Sequence, residues 1–312
     1  PDVKAAVRER VLQVIRETGF VPNPAARSLA AQRSGILGLV VPRSVATFFG
    51  DPYFSRLTQG ISQACYEQGY MLSLFLFYTK KEEELLLPRI AQRSFLDGVI
   101  VQATTDADPI IPQLQKSTMP FLVVGRLNDM PDDLSYVDVD NVSGAKNAVE
   151  HLIKLGHERI AHVCGRLDNR PALDRKIGYE KALRDHNLPI DPNLIVNGDF
   201  SEEGGYASVQ GLLPHKPDAI FVASDTMAVG VVRALKDAGL LVPNDIAVMG
   251  FDDLIPAQRS EPQLSTIKQP ILRFGVSAVE VLTDIIEKGN MPPRQALYDT
   301  ELVIRDSCGA KL

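Results

Sequence analysis

Ala219-Ile220-Phe221-Val222 leads through Ala223-Ser224-Asp225 and a helix-patterned stretch over 226–238 into Ile246-Ala247-Val248-Met249-Gly250-Phe251-Asp252-Asp253. Short, continuous apolar runs that end in small and polar residues are strands of a parallel sheet covered on both faces. A helix between two such strands is the crossover that parallel pairing requires. Outward from this unit the texture repeats. Apolar runs fall at 36–41, 71–77, 98–101, 121–124 and 160–164, and helical stretches at 54–68, 142–155, 175–185 and 272–287. These units are too many for one small sheet. The chain therefore reads as α/β, with two doubly wound parallel-sheet subdomains.

The 312 residues are 45% hydrophobic and 23% charged, enough apolar side chain for sizeable cores and too little charge for disorder. No stretch is long and apolar enough for a membrane helix, and no basic segment with an apolar h-region opens the chain, so a soluble, untargeted protein is expected. Cys65, Cys164 and Cys308 are far apart and without CxxC spacing, which argues against a disulfide framework or zinc ribbon and fits a reducing cytoplasm.

The net charge of −6 hides an asymmetry: residues 1–33 carry +3 and the remainder −9. A basic arm on an acidic body is what a chain needs when one end meets phosphate; a solvated surface helix is the plainer alternative. Within the arm, Val7, Val11, Leu12 and Ile15 share one helix face and Gly19 stops it. Val21-Pro22-Asn23-Pro24 interrupts, and residues 25–31 then form a helix of about two turns, too short to stand alone in water.

Past the strands' carboxyl ends come Pro42-Arg43-Ser44, Gln102-Ala103-Thr104, Gly125-Arg126, Gly165-Arg166, Ala223-Ser224-Asp225 and Gly250-Phe251-Asp252-Asp253. In open α/β sheets ligands sit at this end, so these residues should face one crevice. For Asp225 and Asp140, each just before a helix, an N-cap is the simpler role. His157-Glu158-Arg159-Ile160-Ala161-His162 is one residue too long for the zinc motif HExxH, and its imidazoles would stand about 140° apart on a helix. No GxSxG elbow, Walker loop or GxGxxG is present, and Asp252 beside Asp253 has no nucleophile near it. No catalytic residue, metal or cofactor is expected. A carboxylate, a guanidinium and aromatic rings facing a cleft are instead what a polyhydroxylated ligand needs.

The order and spacing of these segments resemble the LacI/GalR family of bacterial transcription regulators over nearly the whole chain. The resemblance is carried by Val7-Arg8-Glu9-Arg10-Val11, Gly19-Phe20-Val21-Pro22-Asn23, Pro52-Tyr53-Phe54, Leu155-Gly156-His157-Glu158-Arg159-Ile160-Ala161 and Arg175-Lys176-Ile177-Gly178-Tyr179. It continues through Val242-Pro243-Asn244-Asp245-Ile246 to Asp253, and through Leu264-Ser265-Thr266-Ile267-Lys268-Gln269-Pro270.

It implies a partial helix-turn-helix headpiece and hinge helix over 1–34, and a core like that of periplasmic binding proteins. One effector-binding subdomain is expected from 35–139 plus 271–298, the other from 140–270 plus 299–312. Residues 5–18 match the third headpiece helix. The two helices of the helix-turn-helix itself are not in these residues, and a chain trimmed there would lose specific operator binding. Asn23, Ala26, Arg27, Ser28 and Leu29 match the hinge, which in the family enters the minor groove and wedges a leucine into the central step; packing of Leu29 on its own protein is the alternative.

For the effector site the resemblance implies Tyr53 or Phe54, Arg126, Arg175, Phe200, Ser224, Asp252 and Gln269. Arg175 and Asp252 would hold hydroxyls, Phe200 would stack and Ser224 would make one bond. Arg175, read at a helix start, is a poorly placed cation unless it meets ligand oxygens. Ala46-Thr47-Phe48-Phe49-Gly50 looks inserted: Phe48 or Phe49 lines the pocket, or both lie on the surface, the latter favoured.

The expected function is that of a homodimeric, ligand-responsive repressor of the cytoplasm, with operator DNA and a carbohydrate effector as partners. A corepressor response is equally allowed. A periplasmic-type solute-binding protein without DNA binding, and an enzyme using Asp252 or Asp253 as a base, are the alternatives.

Overall fold

A computed structural model describes residues 4–19, 33–42, 45–93, 95–102, 105, 108–289 and 292–310. The hinge residues Asn23, Ala26, Arg27, Ser28 and Leu29 lie outside the described residues, as do Arg43-Ser44 and Ala103-Thr104. The strands are β1 (Ile36–Val41), β2 (Met71–Leu76), β3 (Gly98–Gln102), β4 (Phe121–Val124), β5 (Tyr136–Val139), β6 (Ile160–Cys164), β7 (Ile195–Asn197), β8 (Ala219–Val222), β9 (Ala247–Met249), β10 (Thr266–Lys268), β11 (Gln295–Tyr298) and β12 (Glu301–Val303). The helices are α1 (Ala5–Thr18), α2 (Val45–Gly50), α3 (Pro52–Glu67), α4 (Lys80–Ile90), α5 (Ile110–Gln115), α6 (Asn141–Lys154), α7 (Arg170–Asp185), α8 (Glu202–Leu212), α9 (Asp225–Asp237), α10 (Ile255–Arg259) and α11 (Ile271–Lys288).

The apolar runs pair as parallel strands in two sheets. The first is six-stranded, in the order β11-β5-β4-β3-β1-β2, and the second four-stranded, β7-β6-β8-β9. In the first, Ile36 of β1 stands opposite Met71 and Leu37 opposite Gly98. The central strands β1, β3, β6 and β8 are buried almost throughout, which explains why they read as unbroken apolar runs. The antiparallel pair β10-β12 continues the second sheet through bridges from Met249 to Ser265 and from Asp252 to Lys268. The chain thus leaves the first sheet after β5, returns to it with α11, whose Phe274 and Leu282 pack beside Leu57 and Ile61 of α3, and crosses again after β11.

Several helix starts are fixed by side-chain caps: Asp51 accepts from the Tyr53 amide, Asp140 from Ser143, Ser201 from Gly204 and Ser224 from Met227. The capping role expected of Asp140 is present, whereas the cap of α9 is Ser224 and Asp225 is its first residue. The start of α7 is five residues earlier than the pattern indicated, at Arg170 with Pro171 in its first turn, so Arg175 lies in the second turn and the argument from a helix start does not apply to it.

The inserted aromatics also differ from both expected placements. Phe48 is buried in the first core against Phe54, their ring centroids 5.5 Å apart, while Phe49 is exposed. Neither lines the cleft. Helix α1 forms as expected and is closed by Gly19 in the left-handed conformation, with Val7, Val11 and Leu12 exposed.

Candidate functional site

The carboxyl ends of both sheets open onto one cavity of about 270 Å³ between them. Asp51, Tyr53 and Phe54 at the start of α3, Gln102 at the end of β3, Arg126 after β4, Asp138 of β5 and Phe274 of α11 form one wall. Asn141, Arg166, Asn169, Pro171, Arg175, Asp199, Phe200, Asp252 and Gln269 form the other. Tyr53, Phe54, Arg126, Arg175, Phe200, Asp252 and Gln269 therefore stand together.

Ser224 does not join them. It is 4% exposed and its hydroxyl accepts the Met227 amide at 3.3 Å as the cap of α9, a role that competes with any ligand bond.

Arg175 is held on every side. Its Nε donates to Asn141 Oδ1 at 2.9 Å, its Nη1 donates to the Ala223 carbonyl, its Nη2 stands 3.6 Å from Asp252, and its guanidinium lies 3.8 Å from the centroid of Phe251. Such a group is pre-oriented, so little rotamer entropy remains to be lost when a ligand arrives. Asp252 is equally fixed: its backbone has φ 122°, its amide donates to the Ile267 carbonyl at 2.6 Å and its carboxylate accepts from Gln269. A positive φ at a non-glycine residue is strain that the surrounding bonds must hold in place. Asp253, also at positive φ, turns away and pairs with Arg305, as expected of neighbours on a loop.

Charge dominates the interior. Burial raises the Asp252 carboxyl to about 7, with Arg175 opposing and Asp51 adding to the rise. Burial raises Asp51 to about 6, against its bond from the Tyr53 amide and the pull of Arg175. Behind them Asp225, fully buried and also raised by burial and by Asp252, accepts from Thr266 at 2.6 Å and from the Leu254 amide at 2.8 Å. It thereby pins the strained 250–254 loop.

Across the cleft, Arg126 bridges the two halves. Its Nε meets Asp138 of β5 at 2.7 Å and its Nη2 meets Asp174 of α7 at 2.6 Å. Asp174 also pairs with Arg170 at 2.7 Å, and Arg170 donates back to the Asn128 carbonyl at 3.3 Å.

The histidines stay outside this chemistry. His162 is buried in β6 between the rings of Tyr179 and Phe221, with Nδ1 3.0 Å from the Phe221 carbonyl and its pKa pushed down to about 4 by burial. His157 faces Asp218 at 3.6 Å. No group of three potential metal ligands occurs among the described residues.

Residue reasoning from the sequence did not select Asp51, Gln102, Asp138, Asn141, Arg166, Asn169, Pro171, Asp199 and Phe274 as site residues. Gln102 and Arg166 were legible as residues past strand ends, and Asp51 as the residue before a helix-starting proline. Asp138 and Asp199 follow or lie in strands too short to read from periodicity.

The model of the periplasmic binding protein-like domain family matches residues 149–308. The HTH-type transcriptional regulator CelR of Thermobifida fusca is 34% identical over 98% of this chain and 90% of its own length. The HTH-type transcriptional repressor PurR of Haemophilus influenzae is 33% identical over 96% of this chain and 89% of its own length. Among solved structures, a complex of the regulator CelR with cellobiose superposes with a TM-score of 0.85 at 32% identity, covering 98% of this chain and 92% of that one. The lac repressor dimer bound to operator and the anti-inducer ONPF superposes with a TM-score of 0.84 at 26% identity, covering 99% and 92%.

These relatives are transcription regulators, and the likeness to them favours a regulator over a solute-binding protein without DNA binding or an enzyme. No described helix is long and apolar enough to cross a membrane. With its parallel sheets flanked by helices, its cleft at their carboxyl ends and this similarity along nearly its full length, the chain belongs to the LacI/GalR family of ligand-responsive, DNA-binding transcription regulators.

Proposed function

We propose that this protein is a cytoplasmic, homodimeric repressor whose cleft takes a sugar or sugar-like effector and returns it unchanged. The observation that carries the effector is the pairing, in one cavity, of fixed polar groups with aromatic faces: Arg175 and Asp252 beside Phe200 on one wall, Phe54 and Phe274 on the other. Sugars present hydroxyls that donate and accept along their edges and C–H surfaces on their faces, so this mixture matches them. The cellobiose bound by the CelR relative makes it the first compound to try.

Binding between two subdomains couples to DNA only if the effector prefers one of their arrangements, and a ligand touching both walls has that differential affinity by construction. The Arg126 bridge from Asp138 to Asp174 is a contact that a change of arrangement must break or remake. The hinge segment expected from the sequence at residues 25–31 lies outside the described residues; on operator DNA a dimer would bring its two copies together.

The test is a thermal-shift screen with cellobiose and other neutral mono- and disaccharides, sugar phosphates and nucleosides. A compound at about 100 times its Kd adds about 2.7 kcal/mol of stability. The shift is expected to vanish in Arg175→Ala and Asp252→Ala, and to shrink in Phe200→Ala, whose half-buried ring makes it the variant safest for folding. Hits unaffected by all of these variants would refute the site. Adding the hit to an operator-binding assay then reads whether it releases or strengthens DNA binding.

A further inference from the structure

Resting on the effector reading above, the cleft has a charge balance that selects among sugars. Its lining carries the carboxylates of Asp51, Asp138, Asp199 and Asp252 against the guanidiniums of Arg126, Arg166 and Arg175. Each of those cations already holds an anion or a carbonyl. Arg126 bridges Asp138 and Asp174; Arg166 forms a two-pronged pair with Asp168 at 2.6 and 3.2 Å; Arg175 serves Asn141, Ala223 and Asp252. Behind the lining, Asp174 is the anion that Arg126 and Arg170 hold.

A phosphate or carboxylate entering here would have to pull an arginine from a bonded partner or sit in a desolvated site of excess negative charge. Either step is unfavourable where water cannot screen it.

The hydrogen-bonding sense of the lining points the same way. Gln102 is 6% exposed, faces the cleft, and its side-chain carbonyl oxygen has no partner, while its amide nitrogen lies 3.5 Å from the Tyr53 hydroxyl. A buried acceptor without a donor costs free energy until a ligand supplies one. Above about pH 7, where Asp51 and Asp252 beside it are ionised, the deep cleft is a set of acceptors waiting for donors. Hydroxyl groups donate; ionised phosphates and carboxylates do not.

We propose that this cleft accepts uncharged sugars, their hydroxyls donating to Asp51, Gln102 and Asp252, and excludes phosphorylated and carboxylated sugars.

Isothermal titration of the full chain with cellobiose, glucose, galactose, glucose 6-phosphate, glucuronic acid and glucosamine tests this. A neutral sugar is expected to bind, with each anionic counterpart weaker by about tenfold or more. Asp51→Asn removes one charge while its remaining side-chain oxygen can still cap α3. It is expected to narrow the gap between neutral and anionic sugars several-fold, a change that a merely structural Asp51 would not produce. Gln102→Leu, which removes the unpartnered acceptor, is expected to weaken the neutral sugar.

Equal or tighter binding of glucose 6-phosphate or glucuronic acid overturns the proposal, as does a selectivity that Asp51→Asn leaves unmoved. If no member of the panel binds, the sugar reading itself fails, and this proposal fails with it.

Discussion

Phe200 shows how a single site residue depends on a neighbour that carries no functional group. Its backbone adopts φ 70°, and its ring lies so close to Gly165 that a Cβ there would stand 2.0 Å from the ring's Cζ. Only a residue without a side chain lets the ring rest on the loop after β6 and face the cleft. Gly165→Ala must therefore displace the ring. Because Phe200 is half-buried, the ring can swing outward, so binding is lost rather than the fold. Effector affinity is expected to fall about tenfold, a typical loss for a displaced aromatic anchor. Phe200→Ala should lose a similar amount, and the double variant should lose no more than either one, since coupled neighbours are not additive. Additive losses by calorimetry would show that Gly165 acts independently of the ring. The aromatic was legible through the family resemblance, and Gly165 as a residue past a strand end. Their dependence on each other is a matter of contact, which no sequence pattern encodes.

How far an element can be read from sequence depends on its length, its burial and its glycines. β1, β3, β4, β6 and β8 are central strands whose unbroken apolar runs announce them, whereas β7, β10 and β12 span three residues each, too few for a period. Helix α4 carried a legible signal that went unread: the Thr79 hydroxyl accepts from the Glu82 amide and Glu82 accepts from the Tyr78 amide, a reciprocal cap visible as T-x-x-E. Helix α8 was masked by its own glycines. Gly204 and Gly205 lower its propensity, yet Gly205 is what lets α8 lie on α9, since a Cβ there would stand 2.1 Å from the Met227 carbonyl. Gly230 of α9 makes the reciprocal approach, 1.9 Å from the Glu202 carbonyl. Backbone cannot yield as a side-chain tip can, so Gly230→Ala must push the two helices apart. The cost is expected to be about 1–3 kcal/mol, the range for overpacking a filled core. A urea midpoint that falls without a change in slope would confirm it; an unchanged midpoint would show that the helices part freely.

Across the whole molecule, the buried carboxyls of the cleft and the buried imidazole of the second core pull stability in opposite directions as pH rises. Asp252, raised to about 7, and Asp51, raised to about 6, bind protons more readily folded than unfolded. Their contribution to stability is fully present below the unfolded value of 3.8 and is lost as pH rises through 6 and 7. His162, pushed down from 6.5 to about 4, works the other way: the unfolded chain takes up its proton first, so stability is lost as pH falls below 6.5. Between about pH 4 and 6 two carboxyls lose stability while one imidazole regains it, so the free protein should lose melting temperature from about pH 4 to 7 and hold level above about pH 8. Asp252→Asn is expected to flatten that decline, because the opposing shifts of Asp51 and His162 then nearly cancel. Effector binding reverses the sign at Asp252. A hydroxyl that donates to its carboxylate favours the charged form, lowers the raised pKa and releases a proton into solution. Affinity should then rise several-fold between about pH 6 and 8, and the binding heat should depend on the ionisation enthalpy of the buffer. Proton uptake on binding, or heat independent of buffer, would mean that the ligand meets Asp252 in its protonated form and that Arg175 alone orients it.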